Sequence, residues 1–253
     1  MNEDGLEALL LICDWCADPD RVAAALRTAP MKLRTLRVRC TGSIDPAIVL
    51  EALLRGVDGV IIVGCEPGNC HFIEGDLQAE RRVRMIKKLL ALAGFPPERL
   101  ELRWASAVDE SGPVEAIRGF MERIRGLGAS PLSPGRSDPA LHDRASAAKA
   151  VLEGFRMRTL VGRELELTER GNVYGERVGP LEFDEVADGA LEAEFHRCWM
   201  YLLLKRGSRS VKDLAGELGV GEQAVLRDIV VLQQRGLIIP DRVVGNTPLY
   251  LAP

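Results

Sequence analysis

The stretch GVIIVGC (59–65) is a continuous apolar run that ends at a cysteine and is followed by a Pro-Gly turn. A run of this length, rich in β-branched residues and bounded by turn residues, predicts a strand that is buried on both faces. Helical patterns flank it, in DPAIVLEALLRG (45–56) and over about 75–93. Strands that alternate with helices predict an α/β fold, with a flavodoxin-like parallel sheet and helices on both of its faces.

The rest of the first 128 residues repeats this alternation. Three further strands are predicted at LEALLLIC (6–13), LRTLRVRC (33–40) and ERLELRWASA (98–107), and further helices at 19–29 and 112–128. Asp45 is the expected N-cap of the second helix, because an aspartate stands directly before a proline at the first helical position.

Five of the six cysteines lie within the first 70 residues of the chain, at the ends of these strands. Cys13, Cys40 and Cys65 are each the last or nearly the last residue of a predicted strand, and Cys16 and Cys70 follow in the adjoining loops. In open parallel sheets, ligands bind outside the carboxyl ends of the strands. The sequence therefore predicts that five thiols meet at one edge of the sheet.

Several kinds of chemistry use cysteines at such spacings. CDWC (13–16) and CEPGNC (65–70) each present two thiols from one loop, and thiolates bind iron–sulfur clusters or zinc. A redox dithiol at Cys13 and Cys16 is a third reading, and cysteines that simply pack as small apolar residues are a fourth. The convergence of five thiols favours a cluster or metal site.

Other residues near these cysteines have weaker signals. His71 is interpreted as a structural histidine, and the alternative is that it binds a cluster or donates a hydrogen bond beside one, since imidazole replaces cysteine in some clusters. The segment ERR (80–82) is either a docking surface or a solvated helix face. Cys198 stands on the apolar face of a predicted helix in the second half of the chain, and we expect it to pack there.

The bulk composition is that of an ordinary soluble protein. The 253 residues carry a net charge of −4, with 47% hydrophobic and 28% charged residues. No apolar run approaches the roughly 18 residues of a membrane helix, and the N-terminal residues lack a signal-peptide pattern. We therefore predict a cytoplasmic protein that does not bind membranes. Paired catalytic carboxylates, a Ser/His/Asp set and a phosphate loop are not recognisable, so a catalytic role is not predicted.

The second half of the chain has a different pattern. Beyond a predicted α/β domain at 1–128, the Pro- and Ser-rich segment 129–143 is predicted to be a linker, and 144–190 a connecting segment of uncertain structure. Residues 191–253 predict a winged-helix domain: a helix, a helix-turn-helix and a two-stranded wing. This domain holds 8 Lys and Arg against 7 Asp and Glu, a balance that favours protein contacts over DNA binding.

The order and context of the cysteines resemble a known family. CDWC (13–16), the segment 37–82 and ERLELRWASA (98–107) are similar to the delta subunit of methyl-viologen-reducing, or F420-non-reducing, hydrogenases. The resemblance covers about residues 6–128. It implies one [2Fe–2S] cluster, and since a cluster takes four ligands, one of the five thiols is spare. The candidate ligands are Cys13, Cys16, Cys40, Cys65 and Cys70.

The resemblance also implies a function. Such a protein, itself not catalytic, would relay electrons within a multi-subunit complex. Its partners would be a hydrogenase, formate dehydrogenase or other oxidoreductase on one side and a flavin-containing heterodisulfide-reductase-like subunit on the other. Glu66, Asn69 and Ser43 stand where the family commonly has His, Asp and Arg. The alternatives are an iron–sulfur-dependent winged-helix transcriptional regulator and a zinc-stabilised adaptor.

Overall fold

The structure is a computed structural model, which describes residues 5–27, 29, 31–106, 111–136 and 138–253. The chain forms two compact units, Met1–Ala145 and Ser146–Pro253. Thr28 and Ala107, at the ends of a predicted helix and of the predicted fourth strand, lie outside the described residues. None of the described helices is both long and apolar enough to cross a membrane.

The first unit is built on a four-stranded parallel sheet. The strands have the order β2-β1-β3-β4, and each hydrogen-bonds to its neighbours in parallel. Strand β3 is buried along its whole length, as the run GVIIVGC predicts, whereas β2 lies at an edge and is mostly exposed. The strands are β1 (Glu7–Cys13), β2 (Lys32–Val38), β3 (Gly59–Cys65) and β4 (Leu100–Ala105).

Helices alternate with these strands and confirm the predicted α/β fold. Those between the strands are α1 (Pro19–Ala25), α2 (Pro46–Leu54) and α3 (Gly75–Ala93), and those after β4 are α4 (Gly112–Leu127) and α5 (Pro139–Glu153). Asp45 caps α2 as predicted, because its carboxylate accepts a hydrogen bond from the amide of Ala47 at 3.0 Å. Helix α3 has the predicted bounds and ends at Gly94, whose φ of 74° suits a glycine in the left-handed region.

The second strand ends earlier than the sequence predicts. It stops at Val38, so Cys40 is not its last residue but stands two positions beyond it. The chain then enters a 3-10 turn at Thr41–Ser43, for which Cys40 is the N-cap. The prediction that β2 ends at Cys40 is two residues too long, because its pairing with β1 stops at Val38, which lies opposite Cys13 at the end of β1.

The segment after α4 packs on the amino end of the sheet. The side chain of Asp58 is buried and accepts hydrogen bonds from the amides of Glu7 at 2.7 Å and Ser130 at 2.6 Å. Arg99 donates to the carbonyls of Gly128 and Ala129. The first residues of the predicted linker 129–143 are thus fixed to the first unit, and its last residues belong to α5.

The second unit contains helices where the sequence analysis leaves 144–190 unassigned. Helix α6 (Phe155–Leu165) continues into a π-helical turn (Glu166–Arg170), and α7 (Pro180–Lys205) begins well before residue 191. The remaining elements include an antiparallel sheet of order β5-β7-β6. They are β5 (Arg209–Ser210), α8 (Val211–Leu218), α9 (Glu222–Gln234), β6 (Ile239–Val244) and β7 (Thr247–Leu251).

An ion-pair network joins the helices of this second unit. Glu194 on α7 is buried, and its carboxylate accepts hydrogen bonds from Arg156, Arg197 and Arg235. Burial alone would raise the pKa of Glu194, but the hydrogen bonds from Arg235 and the other two arginines outweigh it and lower the pKa to about 2. The network therefore keeps a buried carboxylate ionised between α6, α7 and the end of α9.

Candidate functional site

Two cysteines meet where neighbouring strands end. Cys13 is the last residue of β1 and Cys65 the last residue of β3, and these two strands are hydrogen-bonded neighbours in the sheet. Their sulfur atoms are 3.9 Å apart and both residues are buried. The parallel sheet thus delivers two thiols to one point at its carboxyl edge, as the sequence predicts.

A second pair forms from the loops next to this edge. Cys40, after β2, and Cys70, in the loop after β3, have their sulfur atoms 3.9 Å apart. The loop at Cys70 is shaped by a turn in which the amide of Asn69 donates to the carbonyl of Glu66. Gly68 has a φ of 82° there, and proline followed by a left-handed glycine is typical of a type II turn.

The first turn of α3 forms one wall of the second pair. A Cβ atom added at Gly75 would lie 2.2 Å from the sulfur of Cys40 and 2.8 Å from that of Cys70. A Cβ added at Gly42 would lie 2.4 Å from the carbonyl oxygen of Gly75. Only glycine at both positions lets the loop after Cys40 and the start of α3 come together around these thiols.

Two polar side chains of α3 fix the loops that carry Cys40 and Cys70. Arg82 donates hydrogen bonds to the carbonyl of Gly42 and, at 3.0 Å, to that of Ile44. Asp76 is only 2% exposed and accepts a hydrogen bond from the amide of Gly68 at 2.7 Å. Both loops are therefore attached to a 19-residue helix, which gives the second pair a rigid support.

Cys16 lies beside the first pair and has a different environment. It is only 1% exposed and belongs to the apolar core of the first unit. Its sulfur lies 3.4 Å from the carbonyl oxygens of Cys13 and of Val63 in β3, and the thiol is the donor in both contacts. These contacts attach the CDWC loop to the neighbouring strand.

The thiols influence one another's ionisation. A hydrogen bond from the Cys16 thiol is the main cause that lowers the pKa of Cys13 to about 6. The same hydrogen bond, together with burial, raises the pKa of Cys16. Burial, followed by the charge of Cys13, raises the pKa of Cys65 to about 12. Burial also raises the pKa of Cys40, to which the charges of Cys70 and Cys13 add. The two pairs therefore form one electrostatically connected group.

Backbone amides point at three of the sulfur atoms. The amide of Trp15 lies 3.5 Å from the sulfur of Cys13. Burial raises the pKa of Cys40 and of Cys65, and hydrogen bonds from the amides of Gly42 and His71, respectively, partly oppose that rise. Amide donors of this kind stabilise negative charge on sulfur.

Aromatic residues cover the outer side of the cysteine loops. The ring of His71 stacks on that of Trp15, with centroids 3.5 Å apart and planes 7° from parallel, and Phe72 meets both rings edge-on. Trp15 is 49% exposed, and the neighbouring Ile73 is 81% exposed with a φ of 67°. A β-branched residue in the left-handed region is unusual, and here it holds an apolar side chain out beside the thiols.

Sequence reasoning identified the five thiols but missed the residues that fix them. In the segment 80–82, Glu80 is exposed, but Arg81 is buried and Arg82 holds the loop after Cys40. Neither a docking surface nor a solvated face describes these arginines. The glycines of TGS (41–43) and EGD (74–76), each next to a polar turn residue, were the available signal for a close backbone approach.

The thiols are arranged as two pairs and one separate cysteine. Among the residues that the structure describes, no group of three or more His, Cys, Asp or Glu side chains is placed to bind a single metal ion. The structure brings Cys13 to Cys65 and Cys40 to Cys70, and it places Cys16 against backbone carbonyls. Cys198 lies in the second unit.

Comparisons with known proteins agree on the first unit. The family model of the methyl-viologen-reducing hydrogenase delta subunit matches residues 8–128. An iron-sulfur subunit of the F420-non-reducing hydrogenase of Archaeoglobus profundus is 38% identical over 120 residues, which are 47% of this chain and 88% of that protein. The chain belongs to the delta-subunit family. An iron-sulfur subunit of an F420-non-reducing hydrogenase of Methanococcus voltae is 34% identical over 118 residues, 46% of this chain and 82% of its own length.

The same domain also occurs within a larger protein. One chain of the ferredoxin:CoB-CoM heterodisulfide reductase of Methanosarcina mazei is 33% identical over 119 residues, 46% of this chain but only 15% of that protein. The domain thus makes up most of the chain in some relatives and is a small part of a long chain in others. The family match ends at residue 128, so it does not include the second unit.

Proposed function

We propose that this member of the delta-subunit family is an electron-transfer protein that holds one [2Fe–2S] cluster. Cys13 and Cys65 would bind one iron, and Cys40 and Cys70 the other. A bound cluster of this type accepts and releases one electron at a time. The protein's own residues would supply the thiolates, keep water away from them and fix the loops on which they stand.

The spacing within the two thiol pairs carries this proposal. Two thiolates that bind one tetrahedral metal ion at about 2.3 Å lie about 3.8 Å apart, and both sulfur pairs are 3.9 Å apart. Each pair therefore fits one tetrahedral ion. Two such pairs suit a cluster of two irons, in which each iron takes two protein thiolates.

The surroundings of the thiols also fit an iron–sulfur cluster. Such clusters are tuned by hydrogen bonds to their sulfur atoms and by exclusion of solvent. Amides of Trp15, Gly42 and His71 reach the sulfurs, and three of the four proposed ligands are buried. Gly75 leaves free the space that a side chain would fill against the thiols of Cys40 and Cys70.

The proposal also covers the proteins between which the electrons would pass. Two of the relatives named above belong to F420-non-reducing hydrogenases, and the larger one belongs to a heterodisulfide reductase. A domain that is built into a heterodisulfide reductase chain in one protein is well suited to contact a separate chain of that kind in another. We therefore propose that one partner is a flavin-containing heterodisulfide-reductase-like subunit. The second would be a hydrogenase, formate dehydrogenase or other oxidoreductase.

Anaerobic purification of the full chain tests the cluster directly. We expect about two iron and two acid-labile sulfide per chain and, after reduction with dithionite, the EPR signal of a one-electron-reduced [2Fe–2S] cluster. Serine variants of Cys13, Cys65, Cys40 or Cys70 should lose most of the iron. Zinc without iron or sulfide would instead support the zinc-stabilised adaptor and refute the proposal.

The second unit is proposed to be a winged helix that makes protein contacts. Helices α8 and α9 are followed by the β6–β7 hairpin, which is the order of that fold. Helix α9, the element that would enter DNA, exposes the apolar residues Leu226 and Val230, and the wing strand exposes Val243 and Val244. Apolar surface and balanced charge suit a protein partner better than phosphates. Salt-dependent protection of a palindromic DNA site would support the regulator alternative.

A further inference from the structure

We infer that the exposed face of α9 is a surface for self-association, on which a second copy of this chain docks through its own α9. The inference builds on the proposed protein-contact role of the second unit and names the partner. It does not depend on the cluster, because every residue that carries it lies in the unit Ser146–Pro253.

Helix α9 has one face in the core of its unit and another that presents apolar side chains to solvent. Val225, Ile229 and Leu232 are buried and pack with residues of α7 and α8. On the opposite face, Leu226 is 46% exposed and Val230 is 50% exposed. Residues four positions apart are neighbours on the surface of a helix, so Leu226 and Val230 form one apolar stripe.

Further apolar residues are exposed where α9 ends. The amide of Leu237 donates a hydrogen bond to the carbonyl of Leu232 at 3.0 Å, which holds Leu237 beside the last turn of the helix. Leu237 is 37% exposed, and Ile239, the first residue of β6, is 45% exposed. Exposed apolar surface on consecutive elements is typical of an interaction site.

The stripe on α9 is complementary to itself. In a symmetric dimer the same patch of both copies forms the contact, so two residues that meet do so twice. When two α9 helices lie antiparallel about a two-fold axis level with Asp228, midway along the stripe, Leu226 of each copy meets Val230 of the other. These side chains then exclude water from the centre of the contact, which is where interfaces are most apolar.

The charges on this face allow two copies to approach each other. The exposed polar residues of α9 are Glu222, Gln223, Arg227 and Gln234. The single carboxylate and the single guanidinium leave this face without net charge, so one copy does not repel the other. Because the α9 face is apolar and uncharged, it suits a copy of itself better than a strongly charged partner.

The comparisons argue against a partner that is common to the family. The matched residues already make up 88% of the Archaeoglobus profundus subunit and 82% of the Methanococcus voltae subunit. Neither protein therefore has room for a second unit of this size, and a partner that they share with this chain is bound without α9. A second copy of this chain, in contrast, always carries the matching stripe.

The mass of the full chain in solution, measured by analytical ultracentrifugation, tests the inference. We expect a dimer of about twice 27.7 kDa. Leu226→Ala should raise the dissociation constant of the dimer about tenfold or more, because each dimer loses the contact twice. A chain that stays monomeric at every concentration would refute the inference.

Paired charge variants show whether α9 meets α9. One variant combines Leu226→Lys with Val230→Lys, and the other combines Leu226→Glu with Val230→Glu. Each alone should be a monomer of about 27.7 kDa, because like charges would face each other across the two-fold axis. An equimolar mixture of the two should form a dimer again. A mixture of the folded variants that remains monomeric would refute the contact between the two helices.

Val173→Lys is the matched control, because it places a charge at an apolar residue of the same unit that is 93% exposed and lies outside α9. It should leave the dimer unchanged, and circular dichroism should show that every variant is folded. A dimer that survives the charge variants on α9 would refute this surface. Iron and sulfide per chain test the proposed function separately, since all of these substitutions lie in the second unit.

Discussion

Replacing Gly75 by alanine tests whether the start of α3 forms a wall of the cluster site. The new Cβ would lie 2.2 Å from the sulfur of Cys40, whereas ordinary contacts begin at 3.4 Å, so the sulfur would have to move by at least 3.4 − 2.2 = 1.2 Å. The sulfur of Cys70, at 2.8 Å, would have to move by at least 3.4 − 2.8 = 0.6 Å. Metal–ligand distances tolerate shifts of only about 0.2 Å.

We therefore expect Gly75→Ala to weaken iron binding by about 10- to 100-fold or more, since losses of this size are typical when a residue next to metal ligands is changed. Gly75 does not have a positive φ, so alanine strains the site by its Cβ and not by its backbone. The assay is iron and sulfide per chain after anaerobic purification, repeated after a timed challenge with an iron chelator.

Gly119→Ala provides the control for this experiment. Gly119 lies within α4, is exposed, and has nothing within 4 Å of an added Cβ. Alanine should stabilise the helix there by about 0.5–1 kcal/mol and leave the cluster unchanged. A Gly75→Ala protein with full iron, full sulfide and an unaltered EPR spectrum would refute the reasoning about this wall.

Three further changes test other supports of the fold and site. Arg82→Gln removes two charged hydrogen bonds to the loop after Cys40. Iron affinity should fall about tenfold, whereas the control Glu80→Gln, which changes an exposed neighbour, should keep the iron affinity of the unchanged protein. Asp58→Ala leaves the amides of Glu7 and Ser130 without their acceptor. The free energy of unfolding, measured in urea, should fall by about 2–5 kcal/mol. A fall of less than about 1 kcal/mol would contradict the anchoring role of Asp58. Glu194 has a folded pKa of about 2 against an ordinary 4.5, so its stabilisation should be complete above pH 4.5 and disappear as the pH falls towards 2. Glu194→Gln should remove this acid dependence of the urea midpoint, measured by Trp199 fluorescence with Trp15 and Trp104 replaced by Phe.

Local patterns in the sequence were sufficient to predict the first unit. The run GVIIVGC predicts β3, and the Asp45-Pro46 pair predicts the start of α2, because both depend on contacts within a few residues. The convergence of the thiols follows from parallel topology, which places successive strand ends at one edge. The end of β2 was mispredicted because β1 ends at Cys13, opposite Val38, and this limit on the pairing is not visible in the local pattern of β2.

The pairing of the thiols depends on longer-range contacts that no local pattern contains. Cys40 meets Cys70 because Gly42 lies against Gly75 and Arg82 reaches back over 40 positions of chain to the carbonyl of Gly42. Helix α6 and the first half of α7 were not predicted for a different reason. They contain exposed apolar residues, such as Phe155 and Leu181, that do not follow the spacing of a buried helix face. Such residues obscure the periodicity on which sequence reasoning relies.

The attachment of Ser130 to Asp58 has a practical meaning for anyone who cuts this protein into pieces. The family match stops at residue 128, which invites expression of a fragment that ends there. Such a fragment would lack the Ser130 amide, which donates a hydrogen bond to the buried Asp58 carboxylate. It would also lack the Ala129 carbonyl, which accepts a hydrogen bond from Arg99. The shortest fragment that keeps these contacts therefore extends beyond Ser133, whose hydroxyl also donates a hydrogen bond to Asp58. Sequence similarity shows which residues the relatives share, whereas the hydrogen bonds of this chain show which further residues the folded first unit needs.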